Sequence, residues 1–127
     1  MIRGDAPERE HQRALIRWCN VAVRQHPELA WLYAVPNAGR REGKTGKLMV
    51  AEGLKAGVPD VCLPVPRGGW HGLYIELKRP GKHVVRASQR AWLDALAGFG
   101  YRAEIACGWD AARELIVEYL TTPQEAT

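Results

Sequence analysis

Apolar positions along the chain change period several times, and each change marks an element. Leu15, Trp18, Cys19 and Ala22 recur at i, i+3, i+4 and i+7, the signature of one helical face. Asp5-Ala6-Pro7-Glu8 supplies its start, with Asp5 as cap, Glu8 three positions later and Pro7 in the first turn, where its missing donor does no harm. The helix is expected to run to about Gln25 and to be ended by Pro27. Trp31 to Val35 are strand formers that stop at Pro36-Asn37-Ala38-Gly39, a turn signal. A basic stretch from Arg40 to Lys47 follows, then a short helix expected over Leu48 to Ala56 and closed by Gly57. Val58 to Val65 reads as a mostly apolar strand, Pro66-Arg67-Gly68-Gly69 as a loop, and Leu73 to Lys78 as the next strand, near enough for a hairpin. Past the break at Pro80-Gly81-Lys82, a helix over Ala87 to Ala97 shows Ala91, Trp92, Ala95 and Leu96 on one face, with Ser88 as its cap. Tyr101 to Ala106 makes a fourth strand, and Asp110 caps a last helix with Ala112, Leu115, Ile116 and Tyr119 inward.

The order αβαββαβα predicts an α/β fold: one domain with a small mixed four-stranded sheet flanked by helices, without internal repeats. At 127 residues a single unit over 1–127 is expected, its ends near 1–6 and 122–127 flexible. Hydrophobic residues at 46% and charged residues at 25% exclude wholesale disorder and fibrous repeats. Apolar runs fall short of the ~18 residues a membrane span needs, and no signal segment opens the chain, so a cytoplasmic setting without membrane partners is expected. Cys19, Cys62 and Cys107 are odd in number and lack a CxxC pair, so they read as buried small hydrophobes in a reducing compartment. The formal charge of +4 is compatible with a polyanionic partner and does not by itself specify one.

Candidate chemistry concentrates in two short segments. In Ile75-Glu76-Leu77-Lys78, strand alternation puts Glu76 and Lys78 on one face and Ile75 and Leu77 on the other. Alone, that pattern also fits an edge strand with a solvated ion pair. Asp60 changes the balance: it lies sixteen positions earlier, after Gly57-Val58-Pro59, where a hairpin can set it beside Glu76. Paired carboxylates repel unless a cation lies between them, and an oxygen-lined site with open positions suits Mg²⁺. Such an ion acidifies a bound water and stabilises charge on a phosphoryl oxygen, while Lys78 can orient the water or offset the developing charge. These are the parts of phosphodiester hydrolysis.

Pro36-Asn37, Gly57-Val58-Pro59-Asp60, Gly72 to Lys78, and Gln89 with Trp92 and Leu96 together resemble the VRR-NUC domain of the PD-(D/E)XK nuclease superfamily, over nearly the whole chain. The resemblance implies a restriction-endonuclease-like fold and a Mg²⁺- or Mn²⁺-dependent DNA endonuclease. Asp60, Glu76 and the Leu77 carbonyl would bind the metal and Lys78 would be the catalytic lysine. It further implies structured DNA such as a Holliday junction as substrate, service in repair, recombination or phage DNA processing, a homodimer, a bacterial or phage-infected host, and no nucleotide cofactor. The family also tends to bring a helical Glu to the metal; helix phase selects Glu8, with Gln12 one turn on, over Glu10. Completion of a capping box is the other reading of Glu8. Gln89 matches the family's glutamine, with a hydrogen bond to Lys78 or the scissile phosphate expected. Asn37 ends a strand where it can touch metal-bound water or phosphate, or simply form a turn.

Arg40, Arg41, Lys44, Lys47, Arg67, Arg79, Lys82, Arg86 and Arg90 are expected around the site as phosphate contacts, which position nucleic acid without reading its sequence. Trp70 and His71 can stack on a base or rest against the fold, and His11, His26 and His83 read as structural or surface residues. Two rival functions share these features: a non-catalytic DNA-binding module of the same fold, and a nuclease acting on RNA.

Overall fold

The computed structural model describes residues 2–36 and 50–124. Asn37, Arg40, Arg41, Lys44 and Lys47, and the first two positions of the helix expected over Leu48 to Ala56, lie outside the described residues. Within them run helix α1 (Glu8–Ala22), a 3-10 turn (Pro27–Trp31), strands β1 (Tyr33–Ala34), β2 (Val61–Leu63) and β3 (Leu73–Lys78), helix α2 (Ala87–Gly98), strand β4 (Arg102–Cys107) and helix α3 (Trp109–Thr121). The sheet order is β1-β2-β3-β4, with the first two pairings antiparallel and β3–β4 parallel. The sheet is therefore mixed and four-stranded, as the pattern predicts.

Proline explains why several elements are shorter than their apolar patterns. The expected strand from Val58 to Val65 is cut to three residues because Pro59 and Pro64 flank it and cannot donate to a ladder. The expected strand from Trp31 is preempted by Pro27, which sits at the start of a 3-10 turn anchored by buried Leu29. Only Tyr33–Ala34 then pairs with β2, and Trp31 is left exposed. Pro7 itself holds the N-cap position of α1; Asp5, the expected cap, pairs instead with Arg3 at 3.2 Å. The chain after Ala51 is already in a turn at Glu52–Gly53, so the helix expected to reach Ala56 stops earlier.

The two sheet faces differ in kind. Val61, Leu63, Leu73, Ile75, Leu77 and Ala106 join Leu15, Cys19 and Ala22 of α1 and Ala112, Ile116, Tyr119 and Leu120 of α3 in one apolar core. Burial of each large side chain here stabilises the fold by about 1.5–3 kcal/mol. The opposite alternation of β3 presents Tyr74, Glu76 and Lys78, and α2 covers the carboxylate end of that face through Gln89. The buried face of α2 is Gln89, Leu93 and Leu96, with Trp92 half-buried. Ala91 and Ala95, expected inward, are exposed, because the helix turns its larger apolar groups to the sheet. Cys19 and Cys62 are buried as expected; Cys107, at the edge-strand end, is exposed.

Candidate active site

β2 and β3 bring the two chemical segments together. Their register, Val61↔Ile75 and Cys62↔Tyr74, continued one step, sets Asp60 opposite Glu76. Pro59 leaves the ladder at this point, and the Asp60 carboxylate takes its place: Oδ2 accepts the Leu77 backbone N–H at 2.7 Å. The N–H and C=O of one strand residue point the same way, so the Leu77 carbonyl lies on the Asp60 side of β3. Lys78 faces the other neighbour, its carbonyl accepting the Gly108 N–H at 2.7 Å.

Asp60, Glu76, Lys78 and Gln89 are 2%, 0%, 4% and 3% exposed, an unusual density of buried polar groups that only a joined network can sustain. Gln89 is the joint. Its Oε1 accepts from Lys78 Nζ at 3.0 Å and from the Arg86 backbone N–H at 2.9 Å, while its Nε2 donates to Glu76 Oε2 at 3.2 Å. Two donors on the oxygen and an acceptor on the nitrogen leave one sensible amide orientation. The same Arg86 contact starts α2, so Gln89 does the capping expected of Ser88. Lys78 Nζ also lies 3.8 Å from Glu76 Oε2 and 4.0 Å from Glu8 Oε1.

Two glycines fix this geometry. Gly57 has φ +91°, and a Cβ there would stand 2.6 Å from the Ser88 backbone carbon, so the approach to Asp60 packs directly on the first turn of α2. Gly108, at φ +94°, allows the turn from β4 into α3 that carries its N–H to Lys78. His11, which the sequence left without a specific role, is buried on α1, and its Nδ1 accepts the Trp109 backbone N–H at 3.2 Å. It thereby ties the helix bearing Glu8 to the start of α3. No sequence spacing signals a contact across ninety-eight positions.

The tertiary contacts set Glu8 apart from Gln12. Glu8 reaches Lys78, whereas Gln12, a single residue around from buried His11, lines an open cleft of about 410 Å³ with Arg9, Arg13, Ile16 and Arg17. Arg67 is not brought to the site. Its guanidinium holds Glu28 at 2.6 Å, the Leu120 carbonyl at 3.4 Å and the Pro66 carbonyl at 2.7 Å, clamping the hairpin loop to the ends of other elements. Arg79, Lys82, Arg86 and Arg90 are exposed between the end of β3 and the first turn of α2, next to the buried network. In the hairpin loop, Trp70 is half-buried, 6.3 Å from the Tyr119 ring and beneath Arg102, and His71 stacks edge-on to Tyr101.

Among the described residues, no three His, Cys, Asp or Glu side chains converge as a metal group, and Lys78 lies within 4.0 Å of both Glu76 and Glu8. The donors that do fit a hard cation are the two carboxylates across the hairpin, Asp60 and Glu76, and the Leu77 carbonyl on the Asp60 side. This all-oxygen set suits Mg²⁺, which is commonly held by one or two carboxylates and completes its shell with water and phosphate.

The VRR-NUC domain model matches residues 6–109. Among solved structures, one described as a VRR_NUC domain protein superposes with a TM-score of 0.77 at 28% sequence identity, over 94% of this chain and 92% of that one. A search of curated proteins finds no match.

Proposed function

The chain belongs to the VRR-NUC family, and from that premise we propose that it is a divalent-metal-dependent endonuclease cutting branched or otherwise structured DNA. Membership itself implies a nuclease-type role in DNA processing. The observation that carries the finer reading is the burial of Asp60, Glu76 and Lys78 at one end of the β2–β3 hairpin. Desolvating such groups costs several kcal/mol per ion. A fold that keeps three together uses their charge.

In this reading Asp60, Glu76 and the Leu77 carbonyl hold Mg²⁺ or Mn²⁺, with Glu8 at the margin of the site. When bound, the ion supplies a Lewis acid for a phosphoryl oxygen and lowers the pKa of a coordinated water. Lys78 orients the attacking water or offsets charge on the phosphoryl oxygens, from a position set by Gln89. Arg79, Lys82, Arg86 and Arg90 contact flanking phosphates, and Asn37, Arg40, Arg41, Lys44 and Lys47 extend that surface on sequence grounds. A homodimer would address two strands with two sites.

The test is a cleavage panel of linear, flapped and four-way-junction DNA, with Mg²⁺ or EDTA, beside RNA of matched shape. Wild type is expected to cut structured DNA only with the metal, and Lys78→Ala to be slower by roughly 10² or more. Equal background cleavage by both proteins sinks the enzyme reading. Metal-independent binding without cleavage would identify a binding module instead.

A further inference from the structure

α1 carries three arginines that the site above does not use. Arg9, Arg13 and Arg17 are exposed and follow one another at i, i+4 and i+8. Each step advances about 6 Å along the helix axis and about 40° around it, so the three form one continuous ridge. The buried side of the helix is His11, Ala14, Leu15, Cys19 and Ala22. The ridge lies opposite, and Gln12 and Ile16 complete the lining of its open cleft.

An ordinary solvated face mixes both signs and gains from Glu-to-Lys pairs four residues apart. On this side of α1 the sole acid is Glu10, at the first turn, against three arginines. The i, i+4 neighbours along the ridge are like charges, and Arg9 occupies the first turn, where the helix dipole disfavours a cation. From His11 to Pro27 the chain has no Asp or Glu, and α1 has no Lys. None of the three guanidinium groups forms an ion pair with another described residue. Glu10 lines a separate hollow with Arg3, Asp5, Ala6 and Pro7. The arrangement works against the isolated helix and suits an anion from outside. All three cations are Arg, whose planar fork takes phosphate bidentately.

The N-terminal end of the ridge is one residue along α1 from the site. Arg9 follows Glu8, whose Oε1 is 4.0 Å from Lys78 Nζ. We propose that the ridge of Arg9, Arg13 and Arg17 is a nucleic-acid backbone surface that carries a DNA strand along α1 as it leaves the reacting centre. The assignment rests on the nuclease reading and gives its substrate a path over the protein.

Anisotropy titrations with labelled four-way-junction and duplex DNA, in EDTA and across 50–200 mM salt, compare wild type with R9Q/R13Q/R17Q and R9K/R13K/R17K. The glutamine triple is expected to bind about tenfold or more weakly, with its slope of log K against log salt less negative by up to about 2.7, roughly 0.9 for each phosphate no longer neutralised. The lysine triple should keep the wild-type slope. Should the glutamine triple fold poorly, Arg13→Gln alone should move the slope by about 0.9. An unchanged slope and affinity in the glutamine variants overturns the proposal, as does displacement of DNA by poly-glutamate as readily as by unlabelled DNA of equal charge. The binding arms contain no metal, so the two claims fail separately. A wild type whose slope depends on the ridge and which never cuts refutes only the endonuclease reading. One that cuts with a ridge-independent slope refutes only the ridge.

Discussion

Gln89 takes part in three hydrogen bonds at once, to Lys78, Glu76 and the Arg86 backbone. Its removal should therefore be felt twice. Gln89→Ala leaves Lys78 and Glu76 buried without their shared neutral partner, a loss of about 1–3 kcal/mol in stability. It also frees the lysine from its set position, for which a decline of about 10–100-fold in cleavage rate is expected. Rates at saturating DNA, read beside a urea unfolding curve, check both effects; an unchanged rate with lowered stability would reduce Gln89 to a helix cap. The sequence singled out Asp60, Glu76, Lys78 and Gln89, and the fold gathers all four. It could not separate Glu8 from Gln12, because 100° of phase per residue places a side chain on a broad arc and does not say what stands opposite. Arg67 shows the same limit more sharply, since its partner Glu28 lies thirty-nine positions away.

Among the elements, the junction between the segment before β2 and the first turn of α2 sets the site. Gly57 touches the backbone of Ser88, and the next residue is Gln89; three residues beyond Gly57 comes Asp60. Gly57→Ala forces a side chain into φ +91° and into overlap at 2.6 Å. The backbone conformation alone costs about 1–2 kcal/mol, and relief of the overlap must separate α2 from the hairpin. A lowered melting temperature together with a loss of metal-dependent cleavage is expected. Full activity at the permissive temperature would show that the contact is dispensable for the site. Periodicity found β3 to the residue and most of the inward face of α3, because both are long enough for their pattern to dominate, although the N-cap expected at Asp110 falls at Gly108. It overextended β1 and β2, where backbone donors removed by proline decide the ladder and apolar character does not.

At the scale of the molecule, the buried core makes stability depend on alkaline pH. Burial pushes the Cys19 thiol up to about 11 from its ordinary 9.0. In the unfolded chain this thiol ionises first, so its contribution is complete below about pH 9 and is lost as the pH rises toward 11. Burial raises the Tyr119 and Tyr74 phenols as well, adding losses of the same sign above their ordinary 10.0. Urea midpoints measured from pH 8 to 11 should fall across that window, less steeply in Cys19→Ala; a level profile contradicts the prediction. Within this whole, the sequence by itself determined the class of the fold, the Leu73–Lys78 strand, and the chemical kinds of side chain that stand near its end. Those properties are local, since alternation and turn chemistry act over a few residues. Tertiary structure alone decided which polar groups meet: Lys78 with Glu8, Arg67 with Glu28, and His11 with the backbone at the start of α3. Each contact joins distant positions, and its geometry exists only once the sheet and its helices have packed.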